Sequence, residues 1–246
     1  MTIYGMILFY KLHESTITQP VLFSMRLYFS LSPSLIPVGY DYPYALSKVF
    51  HRWLGMSNPW HDTLSLYSLG WLTDARTTTE GLSFPYGSKW FVSGWEAELL
   101  QQLLTGLVRD TEVFAGMRIE EIRIAEPPSF REKQVFRLSG PVLLKAPQED
   151  GSTRFLTYSD PEADDALTRS VQRKMDAADV GHLTSEIKLR FLSDYRGAKT
   201  KLVRIKNIQN RASFCPIEAE GSPEALRFVW LTGVGHSTGV GFGGIN

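Results

Sequence analysis

The first regular pattern along the chain is the apolar–polar alternation from Met25 to Ser32 (MRLYFSLS), the signature of a half-buried strand. The turn-rich stretch SPSLIPVGYDYP leads into YALSKVFHRWLG, where Leu46, Val49, Phe50 and Trp53 recur at helical spacing and Gly55 supplies the stop. Thr63 to Leu72 (TLSLYSLGWL) and Leu82 to Ser93, the latter around Tyr86-Gly87, read as two further strands. Trp95 to Val108 (WEAELLQQLLTGLV) reads as a second amphipathic helix, and MRIEEIRIAEP from Met117 as a fourth strand. The predicted order is β-α-β-β-α-β, the ferredoxin-like unit in which two helices cover one face of an antiparallel sheet.

After Pro127-Pro128 the pattern starts again. Strands are predicted at Gln134 to Leu144 and Thr153 to Tyr158, separated by the turn APQEDGS, followed by a polar helix from Pro161 to Ala178 with Asp160 as its N-cap. Ser185 to Leu192 and Lys199 to Ile208 alternate and are predicted to pair as a hairpin. Ser213 to Glu220 is another short strand, and SPEALRFVWLTG a short helix from Ser222. The expected fold class is therefore α+β: two tandem ferredoxin-like (RRM-like) domains, residues 25–128 and 129–246, packed together without a low-complexity linker. Residues 1–24 break the pattern and are set apart as an N-terminal extension, with Met25 a candidate initiator. The apolar run Ile3 to Tyr10 in it is too short to span a bilayer and lacks the flanks of a secretory signal, so no membrane association is expected.

Composition narrows the class without naming a chemistry. The chain has 246 residues, 43% hydrophobic, with 26 basic against 26 acidic side chains, which excludes a disordered or collagen-like protein. The zero net charge hides an asymmetry. Between Glu186 and Arg211 lie Lys188, Arg190, Arg196, Lys199, Lys201, Arg204, Lys206 and Arg211 against only Glu186 and Asp194. On one sheet face Lys188, Arg190, Lys199, Lys201, Arg204 and Lys206 would track a phosphate backbone; alternatively they blunt a solvated sheet edge against aggregation. The single cysteine, Cys215, forms no intramolecular disulfide, and no Cys/His spacing resembles a zinc site. A cytoplasmic setting and no metal are expected.

Glycine is the exception in the composition: Gly233, Gly235, Gly239, Gly241, Gly243 and Gly244 crowd the last fourteen residues, in LTGVGHSTGVGFGGIN. Dense glycine allows positive φ and close approach to a ligand, and successive free N–H groups make an anion-binding nest. No Gly-Lys-Ser/Thr follows, so this is not a Walker loop, and no long helix follows as a dinucleotide fingerprint requires. The alternative is a tight final turn and strand with Phe242 buried. The crowding, with His236, Ser237 and Thr238 at its centre, favours binding by the loop 232–244.

A tandem ferredoxin-like chain ending in GVGHSTGVGFGG resembles the CRISPR-associated repeat-processing endoribonucleases of the RAMP superfamily, the Cas-six family. In the N-terminal half, IPVGYDYPYALSKVFHRWLG is similar to the family's strand-to-helix segment. WHDTLSLYSLGWL is similar to the segment in which a histidine just past that helix precedes a strand with a Tyr-Ser pair, here Tyr67-Ser68. The resemblance covers roughly Met25 to Asn246, and the terminal loop is its most specific element.

The resemblance implies cleavage of CRISPR precursor RNA within repeats, without metal or cofactor. The ribose 2′-hydroxyl attacks the adjacent phosphate and leaves a 2′,3′-cyclic phosphate, a reaction that needs a base, an acid and charge stabilisation. Among five histidines, His61 matches the family's catalytic histidine by position. His51 stands on the first helix where many members carry a tyrosine, so the chain departs from the common Tyr-His-Lys pattern and a two-histidine pair is expected instead. No lysine lies between His61 and Lys89, so Lys48 or Lys89 has to supply the positive charge. Gly233, Gly235, His236, Ser237, Gly239 and Gly241, together with the basic strands, are the expected RNA contacts. His13 falls in the extension and His182 is a loop residue. A non-catalytic RNA-binding RAMP subunit of an effector complex is the alternative reading. Repeat RNA, other CRISPR-associated effector proteins and a second copy of the chain are the partners the resemblance brings into view.

Overall fold

The computed structural model describes residues 25–55 and 57–246; the N-terminal extension, with His13 and the Ile3–Tyr10 run, lies outside the described residues. β1 (Met25–Leu31) is central. It runs antiparallel between β5 (Ser88–Gly94) and β6 (Ile119–Ala125), and β2 (Tyr67–Leu69) pairs with the outer side of β5, giving the order β2-β5-β1-β6. That is the ferredoxin-like order. Leu27, Phe29, Leu31, Trp90 and Val92 meet α1 (Tyr42–Leu54) and α2 (Ala97–Arg109), which contribute Leu46, Val49, Phe50 and Trp53, and Leu99, Leu103 and Leu107.

The expected strand Leu82 to Ser93 is broken. Pro85 lacks an N–H, and Gly87 (φ 80°) turns so close to Leu31 that a Cβ would lie 2.1 Å from its carbonyl oxygen. The piece before the break, β4 (Gly81–Ser83), pairs with β3 (Arg76–Thr78) instead.

The second half repeats the plan. β7 (Lys133–Phe136), β10 (Lys188–Phe191) and β13 (Ile217–Glu220) form a sheet in the order β10-β13-β7. Ile245, bridged to Leu138 just beyond β7, stands where a fourth strand belongs. α3 (Ala163–Ala177) and α4 (Pro223–Thr232) pack on this sheet through Leu167, Val171, Met175, Leu226 and Val229. Two hairpins are inserted: β8 (Leu144–Pro147) with β9 (Thr153–Leu156), and β11 (Lys199–Ile205) with β12 (Ile208–Phe214).

Three expectations fail here. The strand expected at Gln134 to Leu144 divides, with Gly140 and Pro141 between the pieces, into β7 and the start of β8, which lie in different sheets. Residues 185–192 do not pair with 199–208: β10 pairs with β13, Leu189 opposite Ala219, because Leu189 and Phe191 are buried in the core of this half. β11 closes on β12 through a tight turn in which Lys206 takes φ 53°, and Pro216, which has no N–H, separates β12 from β13. Asp160 does not cap α3. Its carboxylate accepts from Thr157 N–H (2.7 Å) and pairs with Arg154 (2.6 Å).

The glycine-rich tail is packed between the two halves. Four of its glycine amides have internal partners: Gly233 N–H on Val229 O (2.9 Å), Gly235 N–H on Ser170 Oγ (3.0 Å), Gly241 N–H on Thr238 O (3.2 Å) and Gly243 N–H on Pro141 O (2.9 Å). The open nest expected from the sequence is therefore not formed at these positions, and Gly233, Gly235, Gly239 and Gly241 are buried. Glycine is demanded by packing. A Cβ on Gly243 (φ 57°) would lie 1.8 Å from Val234 O, and one on Gly239 would lie 2.6 Å from Ser65 Oγ and 2.7 Å from Tyr67 Oη.

Lys174 of α3, 2% exposed, pins the tail by donating to Thr232 O (2.9 Å), Gly233 O (3.2 Å) and Thr238 Oγ1 (3.2 Å). Burial pulls its pKa from 10.5 down to about 7. The folded value lies below the unfolded one, so between pH 7 and 10.5 the unfolded chain holds the proton more tightly. The stability contribution of this group therefore rises with pH across that window. The difference in unfolding free energy between wild type and Lys174→Met, measured by urea denaturation, should move in favour of wild type from pH 7 to pH 10, by at most about 1.4 kcal/mol per pH unit. A difference that is flat or moves the other way would show that Lys174 keeps its ordinary pKa.

Candidate active site and nucleic-acid interface

The burial of Leu46, Val49, Phe50 and Trp53 fixes the rotation of α1 and leaves Lys48 and His51, three residues apart, on its outer side. His61 arrives from the loop before β2. That loop is held by Trp60, whose indole donates to Glu96 at the start of α2, by His61 N–H on Asn58 O (3.4 Å) and by Asn58 Nδ2 on Gly55 O (2.7 Å). The two imidazoles stand 5.0 Å apart between ring centres, inclined at 62°. The histidines singled out in the sequence are thus brought together by a helix and a turn.

Their surroundings differ. His51 is half-buried; burial pushes its pKa below 6.5, and His61 adds to that push, while the Asn58 side chain and Asp62 oppose it. Its Nδ1 is shut off from solvent, as is Oδ1 of Asn58. His61 is exposed, and its Nδ1 lies 2.9 Å from Asp62 Oδ2. This separates the roles open to the two rings: a half-buried imidazole held neutral, and an exposed one oriented by a carboxylate. Among the described residues no three His, Cys, Asp or Glu side chains converge as a metal site.

Cations from both halves gather along the start of α1 and beside the tail. Lys48 Nζ lies 4.5 Å from the centre of the Tyr44 ring, and Lys206, from the tip of the β11–β12 hairpin, reaches the same ring at 5.7 Å. Lys201 Nζ sits 4.6 Å from Trp71, whose Nε1 donates to Gly241 O of the tail (2.6 Å). Lys89 lies at the far end of β5 from Gly94, the residue paired with Tyr67 behind the His61 loop. Of the two lysines considered, Lys48 is the one beside the histidines in the fold.

The basic strands do not form one face. Lys188 and Arg190 belong to β10, in a different sheet from β11, and Arg190 is neutralised by Glu218 at 2.6 Å. Within β11 the two-residue period puts Lys199 and Lys201 on the side of buried Val203, and Arg204 on the opposite side. Lys48, Lys145, Arg173, Lys199, Lys201, Arg204 and Lys206 form no ion pair among the described residues, and neither does Lys188.

His236, Ser237 and Val240 are the residues of the tail that remain half-exposed. His236 Nδ1 accepts from Lys145 N–H (3.3 Å), and its pKa is lowered by burial and by the cations around it. His182 lies in a short turn at Gly181–Leu183, after α3. Asn58, Asp62, Tyr44 and Trp71 went unmarked in the sequence. Asp62 had a signal, since it adjoins His61; the others become neighbours of the site only through tertiary contacts.

Comparison with known proteins agrees with this architecture. The family profile described as CRISPR associated protein Cas6, C-terminal, matches residues 124–246. The chain is similar to the structure of a Cas6-related gene product from Pyrococcus furiosus, with TM-score 0.78 and 16% identity over 91% of this chain and 98% of that one. It is also similar to a CRISPR associated protein Cas6 (TM-score 0.75, 19% identity, 91% and 98% covered) and to a RAMP protein binding different RNA substrates (TM-score 0.76, 16% identity, 90% and 98% covered). At such identities the likeness is one of fold, the tandem ferredoxin-like plan. No curated protein sequence matches. The family profile covers half of the chain and the same fold extends over nine-tenths of it; the chain belongs to the Cas6 family of CRISPR-associated proteins.

Proposed function

We propose that this protein is an endoribonuclease that cuts CRISPR repeat RNA by acid–base catalysis at His51 and His61. The observation that carries the reading is the pair of imidazoles 5.0 Å apart, one half-buried and one exposed beside Asp62. In the proposed step Nε2 of neutral His51 takes the proton of the ribose 2′-hydroxyl. The 2′-oxygen bonds to phosphorus, the bond from phosphorus to the 5′-oxygen breaks, and His61 gives that oxygen a proton. The products are a 2′,3′-cyclic phosphate and a free 5′-hydroxyl. Lys48 offsets the charge that grows on the phosphoryl oxygens. The step needs no metal.

Asn58 and Asp62 act as positioning residues. Asn58 donates an amide hydrogen to Gly55 O; its Oδ1 and Nδ1 of His51 are both shut off from solvent and have no other partner among the described residues, so a proton held between them on Nδ1 would leave Nε2 of that ring free. Asp62 does the same for His61 through Nδ1. Unpaired cations from both halves border the site and supply the positive field that a polyanion needs.

Repeat RNA incubated with the protein in EDTA should give a product ending in a 2′,3′-cyclic phosphate. His51→Ala and His61→Ala should each slow single-turnover cleavage by about 10²- to 10⁴-fold. No cleavage by the wild type, or full cleavage by the double variant, would refute the reading, and tight binding without product is what an RNA-holding RAMP subunit would give.

The acidic limb of the pH–rate profile should report His51 and lie below the ordinary histidine value. Asn58 favours the charged ring, so Asn58→Ala should move that limb to still lower pH. A limb that stays fixed would separate Asn58 from the base. Lys201→Ala and Arg204→Ala should weaken binding across RNA sequences and each flatten the logarithmic salt dependence by about 0.7. Unchanged salt dependence would mean that the RNA passes elsewhere.

A further inference from the structure

Where the chain leaves β6 for the second half, beside the start of α4, lies a cavity of about 550 Å³. Its floor is aromatic. Trp95, just after β5, meets Phe228 of α4 with ring centres 4.9 Å apart, and Phe130 rests on Phe136 (5.9 Å) and Trp230 (6.5 Å). These contacts with the core of the second half fix the two rings, yet both remain half-exposed and line the cavity. Pro127, Pro128 and Pro223 add flat walls that have no N–H to offer. The charged side chains of the wall are Glu126, Glu224 and Arg227, two carboxylates against one guanidinium. Glu126 and Glu224 are exposed, and neither forms an ion pair among the described residues.

We propose that this cavity docks a partner protein by taking in one arginine of an extended segment. The wall is one positive charge short of balance, which a single guanidinium supplies, whereas a phosphodiester would be repelled by two carboxylates. The aromatic floor selects arginine over lysine. A guanidinium stacks flat on an indole or phenyl ring and gives a carboxylate two parallel N–H donors, while its methylene stem lies against apolar walls such as the prolines. The volume equals about eighteen waters at about 30 Å³ each, room for an arginine residue with a neighbour and far more than a bare ion fills. Position keeps the two surfaces apart. Pro223 and Glu224 open α4, and the tail begins at its other end, after Thr232, about 15 Å away along ten residues of helix. A protein held at this cavity therefore leaves the tail and the basic border beside it uncovered. The inference goes beyond the proposed cleavage and does not rest on it.

The test titrates the full chain calorimetrically with a capped peptide that carries one arginine between leucines, and with the same peptide in which neutral citrulline replaces the arginine. The wild type should bind the arginine peptide about tenfold or more tightly than the citrulline peptide. Glu126→Gln/Glu224→Gln should keep the wild-type circular dichroism, since both side chains are exposed, and should lose that preference while binding the citrulline peptide as the wild type does. Repeat RNA made uncleavable by 2′-O-methylation, added first, should leave the peptide affinity unchanged. No binding of either peptide up to about 1 mM, equal binding of the two, or a preference that survives in the double variant overturns the docking site. Displacement of the peptide by RNA also overturns it, since the cavity would then lie on the path of the RNA. If the peptides behave as expected while the protein leaves repeat RNA uncut, the docking site stands and the proposed function falls.

Discussion

The hydroxyl of Thr238 ties the molecule together. It donates to the carbonyl of Tyr67 in the first sheet (2.7 Å) and accepts from Lys174 of α3 in the second half (3.2 Å), and it is fully buried. Around it the tail fills the space between the halves. Ser47 of α1 donates to Gly239 O (2.9 Å), and Ser68 and Ser93 both bond Leu231 O. Arg26 on β1 lies between Trp230 and Phe91 and donates to Trp230 O (2.7 Å). Apart from Nε of Arg26, the polar groups named here are paired, and losing any one partner strands another in a medium where an unmet hydrogen bond costs about 1–3 kcal/mol.

That closure explains what the glycines are for. The sequence makes their crowding conspicuous, and both available explanations, a ligand nest and a tight terminal turn, are consistent with it. The difference is decided by partners tens or hundreds of residues away: Ser170 for Gly235, Pro141 for Gly243, Ser65 and Tyr67 for Gly239. Local pattern carries no information about such neighbours. The same limit accounts for the basic strands. Alternation identified β10 and β11, but strand choice depended on the tight turn at Lys206 and on the burial of Leu189 and Phe191, and so the expected pair came apart.

What the sequence did reveal is what short-range physics controls. Helical spacing places Leu46, Val49, Phe50 and Trp53 in the core, the element order yields the ferredoxin-like sheet twice, and the position of His51 on the first helix and of His61 just past it singles out the two rings that meet. Breaks in predicted strands came at Pro85 and Pro216, residues whose missing N–H was readable but whose effect on pairing depends on the ladder around them.

Net charge illustrates the point electrostatically. Charges of the second sheet neutralise one another locally, where Glu218 meets both Lys133 and Arg190, while the cations bordering α1, the tail and the β11–β12 hairpin have no ion-pair partners among the described residues. The position of those cations is in turn inherited from the tail. Gly239 O holds Ser47, and Ser47 precedes Lys48 and lies one turn from His51, so a shift of the tail is transmitted to α1 without any contact between glycine and ligand. Gly241 O holds Trp71 under Lys201 in the same way. A bulky residue in the tail therefore acts on the histidines and the basic border through packing, which is why a phenotype from changing a tail glycine cannot by itself identify that glycine as a point of ligand contact.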